Sequence, residues 1–454
     1  MTIFHIEGFD LINSTTKSAL GGIDMSHQGK TDVAGGSSST AAYVIEPGTL
    51  TEFDVAGRYA GSSGVKLNFE QHTASITNTE DGTTTNYTGN TGTWSRIPFA
   101  EQQALYGVGG FTFGFAFKTS AINSSYETCI AAIADSNGKP LLLLTYNTSA
   151  YLKAYLFNGT NANYANTFRS SYAGTASSAT VSGHPAKKQR NFVQDEYVNA
   201  GGSVSDHSAL GTGSNAISVD TWYTIECQVV ENSTRNYDVE VRLDDAAQVN
   251  SDGNAVSNNQ CANLHEVILL NALLLDHANA LSQMAESSHT FDDFYFLDDA
   301  TSLGGATNNT FLGADTRVQA LPISGSGSVD FNPMTVDSGT GSGNLIDFDT
   351  STTATLLPGA SGLFDVSNPS TIKTAKGVRY VAVSKEAVGE VELDFFTKTN
   401  GAYYLPSGAI HDGSSMALTG SFVAKQEIQE KNPATNSDYT QAELNALQIG
   451  LKAS

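Results

Sequence analysis

The chain has 454 residues, enough for about two or three domains. Only 15% of residues are charged, 43 are glycine and 40% are hydrophobic, a balance that suits short strands joined by turns and a real apolar core. A net charge of −23 would repel phosphate backbones and anionic membranes, so nucleic acid and membrane insertion are excluded as expectations.

In chain order, residues 3–7 (IFHIE) read as a strand, followed by a turn at Gly8-Phe9-Asp10. The opening MTIFHIEGFDLINST has no basic region and no long apolar run, so no signal peptide is expected. Residues 26–64 are polar and rich in Gly and Ser; Val65, Leu67 and Phe69 then alternate. Gly110–Lys118 (GFTFGFAFK) places Phe111, Phe113, Phe115 and Phe117 on one face and Thr112, Gly114 and Ala116 on the other, the period of a strand against a core. Further strands are expected at Thr128–Ala134, Leu141–Tyr146 and Tyr151–Phe157, with a hairpin at Asn137-Gly138.

Residues 158–216 lose periodicity and read as a long surface insertion, with one basic knot at Lys187-Lys188-Gln189-Arg190. Strands resume at Thr221–Val230 and Tyr237–Leu243, the latter with Asp238, Glu240 and Arg242 facing water. Residues 264–286 read as a strand running into a short helix, Ala278–Glu286. Thr290–Leu297 is a further strand, and composition shifts at 300–313. Beyond that shift come strands at Val378–Ser384 and Gly389–Thr397, a capping-box helix start at Thr440-Gln-Ala-Glu443, and a last strand at Gln448–Lys452.

Candidate chemistry is sparse. Cys129, Cys227 and Cys261 are too few and too scattered for a disulfide framework or a zinc cluster; Cys129 and Cys227 sit in apolar, strand-like runs and read as small buried hydrophobes. The nine histidines show no metal-ligating spacing; His265, His277 and His289 read as packed or surface residues. Asp292-Asp293 and Asp298-Asp299 flank a strand and read as soluble strand ends, with no metal ligand assigned. Glycoside hydrolysis needs two carboxyl groups, about 5 Å apart for retention. Glu390, Glu392 and Asp394 lie on one strand, but Phe396 and Thr397 follow where a third carboxylate would be needed, so a solvated face is the reading. Tyr151 and Tyr155 read as core, Tyr164 and Tyr172 as contact candidates.

These segments resemble a family of tailed-bacteriophage virion proteins built on a concanavalin-A-like, laminin-G-like jelly roll. The resemblance rests on Ile6-Glu7-Gly8-Phe9-Asp10, on Arg58-Tyr59-Ala60-Gly61 with Val65-Lys66-Leu67, and on Trp222-Tyr223-Thr224-Ile225-Glu226 with Val239–Leu243. It rests also on Phe291-Asp292-Asp293-Phe294-Tyr295, Asn308–Gly313 with Arg317-Val318, and Asn432-Pro433-Ala434-Thr435 with Tyr439-Thr440, Leu444–Leu447 and Ile449-Gly450. Ala314 and Tyr439 depart from the family pattern.

The resemblance implies an all-β chain: a jelly-roll sandwich over 1–310 with the 158–216 insertion, then a smaller β-sandwich over 311–454 with one helix near 440–447. It implies a non-enzymatic virion structural protein without cofactor, made in the host cytoplasm. Its partners would be other capsid or tail proteins, further copies of itself, a trimer foremost, and a host-surface glycan. Two alternatives stay open: a glycan-binding receptor module of the tail tip, and a polysaccharide depolymerase.

Overall fold

A computed structural model describes residues 2–10, 28–32, 42–43, 51–78, 84–104, 110–124, 127–135, 140–157, 179–181, 184–185, 207–233, 235–255, 263–274, 286–298, 311–326, 335–336, 354–357, 361–372, 374–385, 392–399, 401–404, 416–417 and 423–453. The chain forms two compact units: Asp24–Phe294 with Asp299–Thr316, and Arg317–Ser454 with Met1–Ile23 and Tyr295–Asp298.

The first unit is a jelly-roll sandwich. Its principal strands are β1 (Gln28–Asp32), β2 (Thr51–Ala56), β3 (Ser63–Asn78), β4 (Thr84–Ala104), β5 (Gly110–Thr119), β6 (Glu127–Asp135) and β7 (Pro140–Tyr146). They continue with β8 (Tyr151–Phe157), β9 (His207–Ala216), β10 (Tyr223–Ser233), β11 (Asn236–Leu243), β12 (Ala246–Ala255), β13 (Asn263–Leu274) and β14 (Ser287–Asp298). One sheet runs β2–β3–β14–β5–β10–β11–β12. The other runs β1–β4–β13–β6–β7–β8–β9. The long β3 joins them, pairing with β14 over Val65–Phe69 and with β4 over Glu70–Thr77.

Alternation decides which side chains meet between the sheets. The Phe111, Phe113, Phe115 and Phe117 row faces inward; Phe115 and Phe117 each lie 5.6 Å from Phe291, and Phe117 reaches Tyr146 of the opposite sheet at 6.4 Å. Strands β10 and β11 add Ile225, Cys227, Val229 and Tyr237, Val239, Val241, Leu243, all buried. On the other face of β11, Arg242 Nε donates to Glu240 Oε1 at 2.7 Å.

A polar ring lies inside this core. The imidazole of His289 bonds through Nδ1 to Leu270 O (2.7 Å) and through Nε2 to the Tyr146 hydroxyl (3.0 Å). Burial lowers it to about 4 from the ordinary 6.5, opposed by the Leu270 bond. Between those values the unfolded chain binds a proton that the folded chain refuses. Stability therefore falls as pH drops from about 6.5 to about 4, by about 3 kcal/mol in all, and the effect levels off below that range. Urea unfolding against pH should show this slope, and His289→Gln should flatten it.

The strand His207–Ala216 corrects the expectation that all of 158–216 is irregular. Its Gly- and Ser-rich sequence hides any alternation, but Tyr151–Phe157 supplies an antiparallel partner, with register shifts between Tyr151 and Lys153 and between Ala154 and Tyr155. Most of that segment, including Lys187, Lys188, Arg190, Tyr164 and Tyr172, lies outside the described residues, as do the Asn137-Gly138 turn and most of the expected helix Ala278–Glu286.

The second unit is a smaller β-sandwich. One sheet runs through Ile323–Ser326, Ser361–Val366, Gln448–Ala453, Glu392–Thr399 and Ala402–Tyr404; the other pairs Val378–Ser384 with Val423–Gln429. Tyr380 and Phe395 meet between the sheets at 6.3 Å. The N-terminal strand Thr2–Glu7 belongs to this unit: Arg379 Nη1 donates to Ile6 O (2.6 Å) and Glu7 Oε2 (2.8 Å). Among the described residues one short helix, α1 (Gln441–Asn445), carries a full capping box between Thr440 and Glu443. Thr440→Ala should cost about 1 kcal/mol of this unit's stability, read from its denaturation midpoint.

Candidate active site

The sheet β6–β7–β8 has two faces of different chemistry. Tyr146 points into the sandwich, as its contacts with Phe117 and His289 require. Thr145, its neighbour in sequence, points the other way. Cross-strand register places Lys153 opposite Thr145, and Thr145 opposite Cys129. Glu127 and Cys129 share a face of β6, and Lys153 and Tyr155 share a face of β8. Four polar side chains from three adjacent strands thus converge on the outer face of this sheet.

They form one hydrogen-bonded cluster around Glu127. Tyr155 donates its hydroxyl proton to Glu127 Oε1 at 2.7 Å, and Thr145 donates to the same oxygen. Lys153 Nζ donates to Glu127 Oε2 at 2.8 Å and is also hydrogen-bonded to the Tyr155 hydroxyl. The ammonium lies 4.8 Å from the Tyr155 ring centroid, within cation–π range. Lys153 and Glu127 keep side-chain exposures of 20% and 16%, so the cluster is held by protein on most sides yet open to water at its charged end.

An apolar floor surrounds it: Leu143, Phe157, Ile268 and Leu270 pack with Tyr155 and Cys129. Burial, then the hydrogen bond to Glu127 and its charge, raise the Tyr155 phenol far above its ordinary value, so it stands protonated. Burial, then Glu127, also raises the Cys129 thiol, leaving it an inert core group. The site thus holds a protonated phenol, a carboxylate that accepts from three donors, and an ammonium, all in mutual contact. Such a set can neutralise an anionic substrate, take a proton and return one.

The chain's other carboxylates are engaged differently. On the outer face of the opposite sheet, Asp292 Oδ2 accepts from Arg58 N (2.7 Å) and Ser62 Oγ (3.0 Å), and Asp293 Oδ2 lies 3.9 Å from Arg58 Nη1. Both aspartates are buried, which corrects their reading as soluble strand ends. The buried Glu226 accepts from Gly313 N at 2.8 Å, while Ala314 O accepts from Arg58 Nη2 (2.7 Å) and Thr224 Oγ1 (3.1 Å). Phe311 packs under the Arg242 guanidinium at 4.0 Å. The 311–314 segment is therefore the partner of these groups, and they form a structural seam.

In the second unit, Asp394 is half-buried, and its charge adds to the burial that raises Glu427 to about 7. Glu392 begins the same strand, and Glu390 lies outside the described residues. Cys227 is a buried free thiol; Cys261 lies outside the described residues, as do His265's side chain and His277. Among the described residues no group of three or more His, Cys, Asp or Glu is placed to hold a metal ion.

No family model and no curated protein matches this chain. Solved structures similar to it include an endo-β-1,4-glucuronan lyase from the fungus Trichoderma reesei (14% identity, 60% of this chain, 96% of that one, TM-score 0.32). An alginate lyase from a Chlorella virus is similar at 9% identity, over 65% of this chain and 99% of that one, TM-score 0.32. A family-7 alginate lyase is similar at 10% identity, over 62% and 98%, TM-score 0.31. These neighbours are polysaccharide lyases, against the expectation of a virion structural protein without enzymatic chemistry. The bacteriophage, capsid and tail-fibre assignments find no support. At such identities and TM-scores the neighbours assign neither reaction nor substrate to this chain.

Proposed function

We propose that the jelly-roll unit cleaves an acidic polysaccharide by β-elimination at the Glu127–Lys153–Tyr155 cluster. The observation that carries this reading is the three-way contact itself: an ammonium, a protonated phenol and a carboxylate within hydrogen-bond reach of one another on an outer sheet face. Hydrolysis calls for paired carboxyl groups. This cluster has a single carboxylate, with a cation and a phenol beside it, which suits removal of a proton next to a carboxylate.

In the proposed reaction the uronate carboxylate of the polymer meets Lys153, and neutralising its charge acidifies the adjacent carbon. The proton on that carbon passes to the Tyr155 oxygen while the phenol's own proton moves along the 2.7 Å bond to Glu127. The released electron pair forms the new carbon–carbon double bond, and the glycosidic carbon–oxygen bond breaks with its pair on oxygen. Reversal of the Glu127–Tyr155 transfer delivers a proton to that oxygen, so the cluster ends as it began.

The experiment is incubation with polymannuronate, polyguluronate, polyglucuronate and polygalacturonate. The expected result is new chain ends carrying the ultraviolet absorbance of an unsaturated uronate. Reducing ends without that absorbance would mean hydrolysis, and binding without either product would mean a glycan-binding module; each would overturn the proposal.

A further inference from the structure

On Lys153, Glu127 already holds the place that a substrate carboxylate needs. Resting on the elimination reading above, we infer that Glu127 is the specificity-determining residue of the site, an internal counter-ion that the polymer's acidic group must displace from Lys153. The ammonium has three donors. One is committed to Glu127 Oε2 at 2.8 Å and another contact is with the Tyr155 hydroxyl. The pair is self-neutralised, so a neutral sugar meets no uncompensated charge, and its hydroxyls compete poorly against a carboxylate for an ammonium.

A uronate exchanges one carboxylate–ammonium contact for another. Glu127 is not abandoned by that exchange: its Oε1 keeps the hydrogen bonds of Thr145 and Tyr155. It is left facing the phenol whose proton it receives in the reaction. Among the described residues, the ionisable groups facing Glu127 are Lys153 and Tyr155 from β8 and Cys129 from its own strand, while β7 presents Thr145 and β13 places Leu274 opposite it. None of these is a second cation that could hold both anions at once. The site therefore selects polymers whose carboxylate binds more strongly than the resident one.

The test is calorimetric titration in a Tyr155→Phe background, which prevents turnover, using oligomannuronate, oligoglucuronate and oligogalacturonate, with a neutral cello-oligosaccharide as control. Adding Glu127→Gln removes the competing charge and keeps an acceptor for Thr145. The expected result is about tenfold tighter binding of the best acidic oligomer, with the neutral control unmoved. Unchanged or weaker acidic binding by a variant with the parent's circular-dichroism spectrum would overturn the inference. Should Glu127→Gln fail to fold, Glu127→Asp, one methylene shorter, withdraws the charge from Lys153 and should tighten binding in the same direction; failure to do so also counts against it. If no acidic oligomer binds the Tyr155→Phe protein, the elimination reading itself falls. If one binds and the charge-removing variants do not tighten it, only the counter-ion inference falls.

Discussion

Replacing Tyr155 by Phe should lower the turnover of an acidic polysaccharide by about 10²–10⁴-fold while leaving the protein folded and able to bind. The phenyl ring keeps the apolar contacts with Leu143, Phe157 and Ile268, so the core cluster under the site persists. What disappears is the hydroxyl, the link between Glu127 Oε1 and the reacting proton. Glu127 keeps Thr145 and Lys153 as donors and is not left as an unsatisfied charge. Steady-state kinetics on the polymer that yields unsaturated ends would show a fall in kcat with little change in KM. A parallel Lys153→Ala variant should raise KM as well, because it removes the cation assigned to the substrate carboxylate. A Tyr155→Phe protein with unimpaired kcat would remove the phenol from the mechanism.

Phe115→Ala should cost about 3–5 kcal/mol of stability in the jelly-roll unit, the largest expected effect of a single core truncation. Phe115 is fully buried, stacks on Phe113 at 6.2 Å and meets Phe291 edge-on at 5.6 Å. Its strand is flanked by β10 along Tyr223–Val230, which fixes the backbone and prevents the neighbours from collapsing into the cavity. Denaturant unfolding followed by tryptophan fluorescence measures the loss. A cost below about 1 kcal/mol would mean that the Phe row is not closely packed between the sheets.

Much of the fold could be read along the chain because side-chain alternation is local information. The Phe111–Phe117 row, the Tyr237–Leu243 row and the Val378–Ser384 strand all carry the period of a strand in consecutive residues, and they form strands over those positions. The Thr440–Glu443 capping box is equally local, with both of its hydrogen bonds made within four residues. The Gly- and Ser-rich strand His207–Ala216 was not legible, because its side chains carry no alternation and its order comes from its partner. Tyr151 and Tyr155 read only as core, and Lys153 and Glu127 carried no local signal, because nothing nearby in the sequence says what that face of β8 meets.

The sequence alone therefore settled the all-β class, the inward-facing rows and the cap of the helix Gln441–Asn445. These depend on the period of a strand and on the reach of a side chain over one turn. Tertiary structure decided the candidate chemistry. Glu127 and Tyr155 are 28 positions apart and become partners only through the register of β6 with β7 and of β7 with β8, a register that includes an irregularity between Cys129 and Ala131. It likewise decided that Asp292 and Glu226 are buried structural acceptors, because Arg58, Ser62 and Gly313 reach them from distant parts of the chain. A one-residue slip would send Glu127 to the opposite face and dissolve the cluster, since strand side chains alternate strictly between faces.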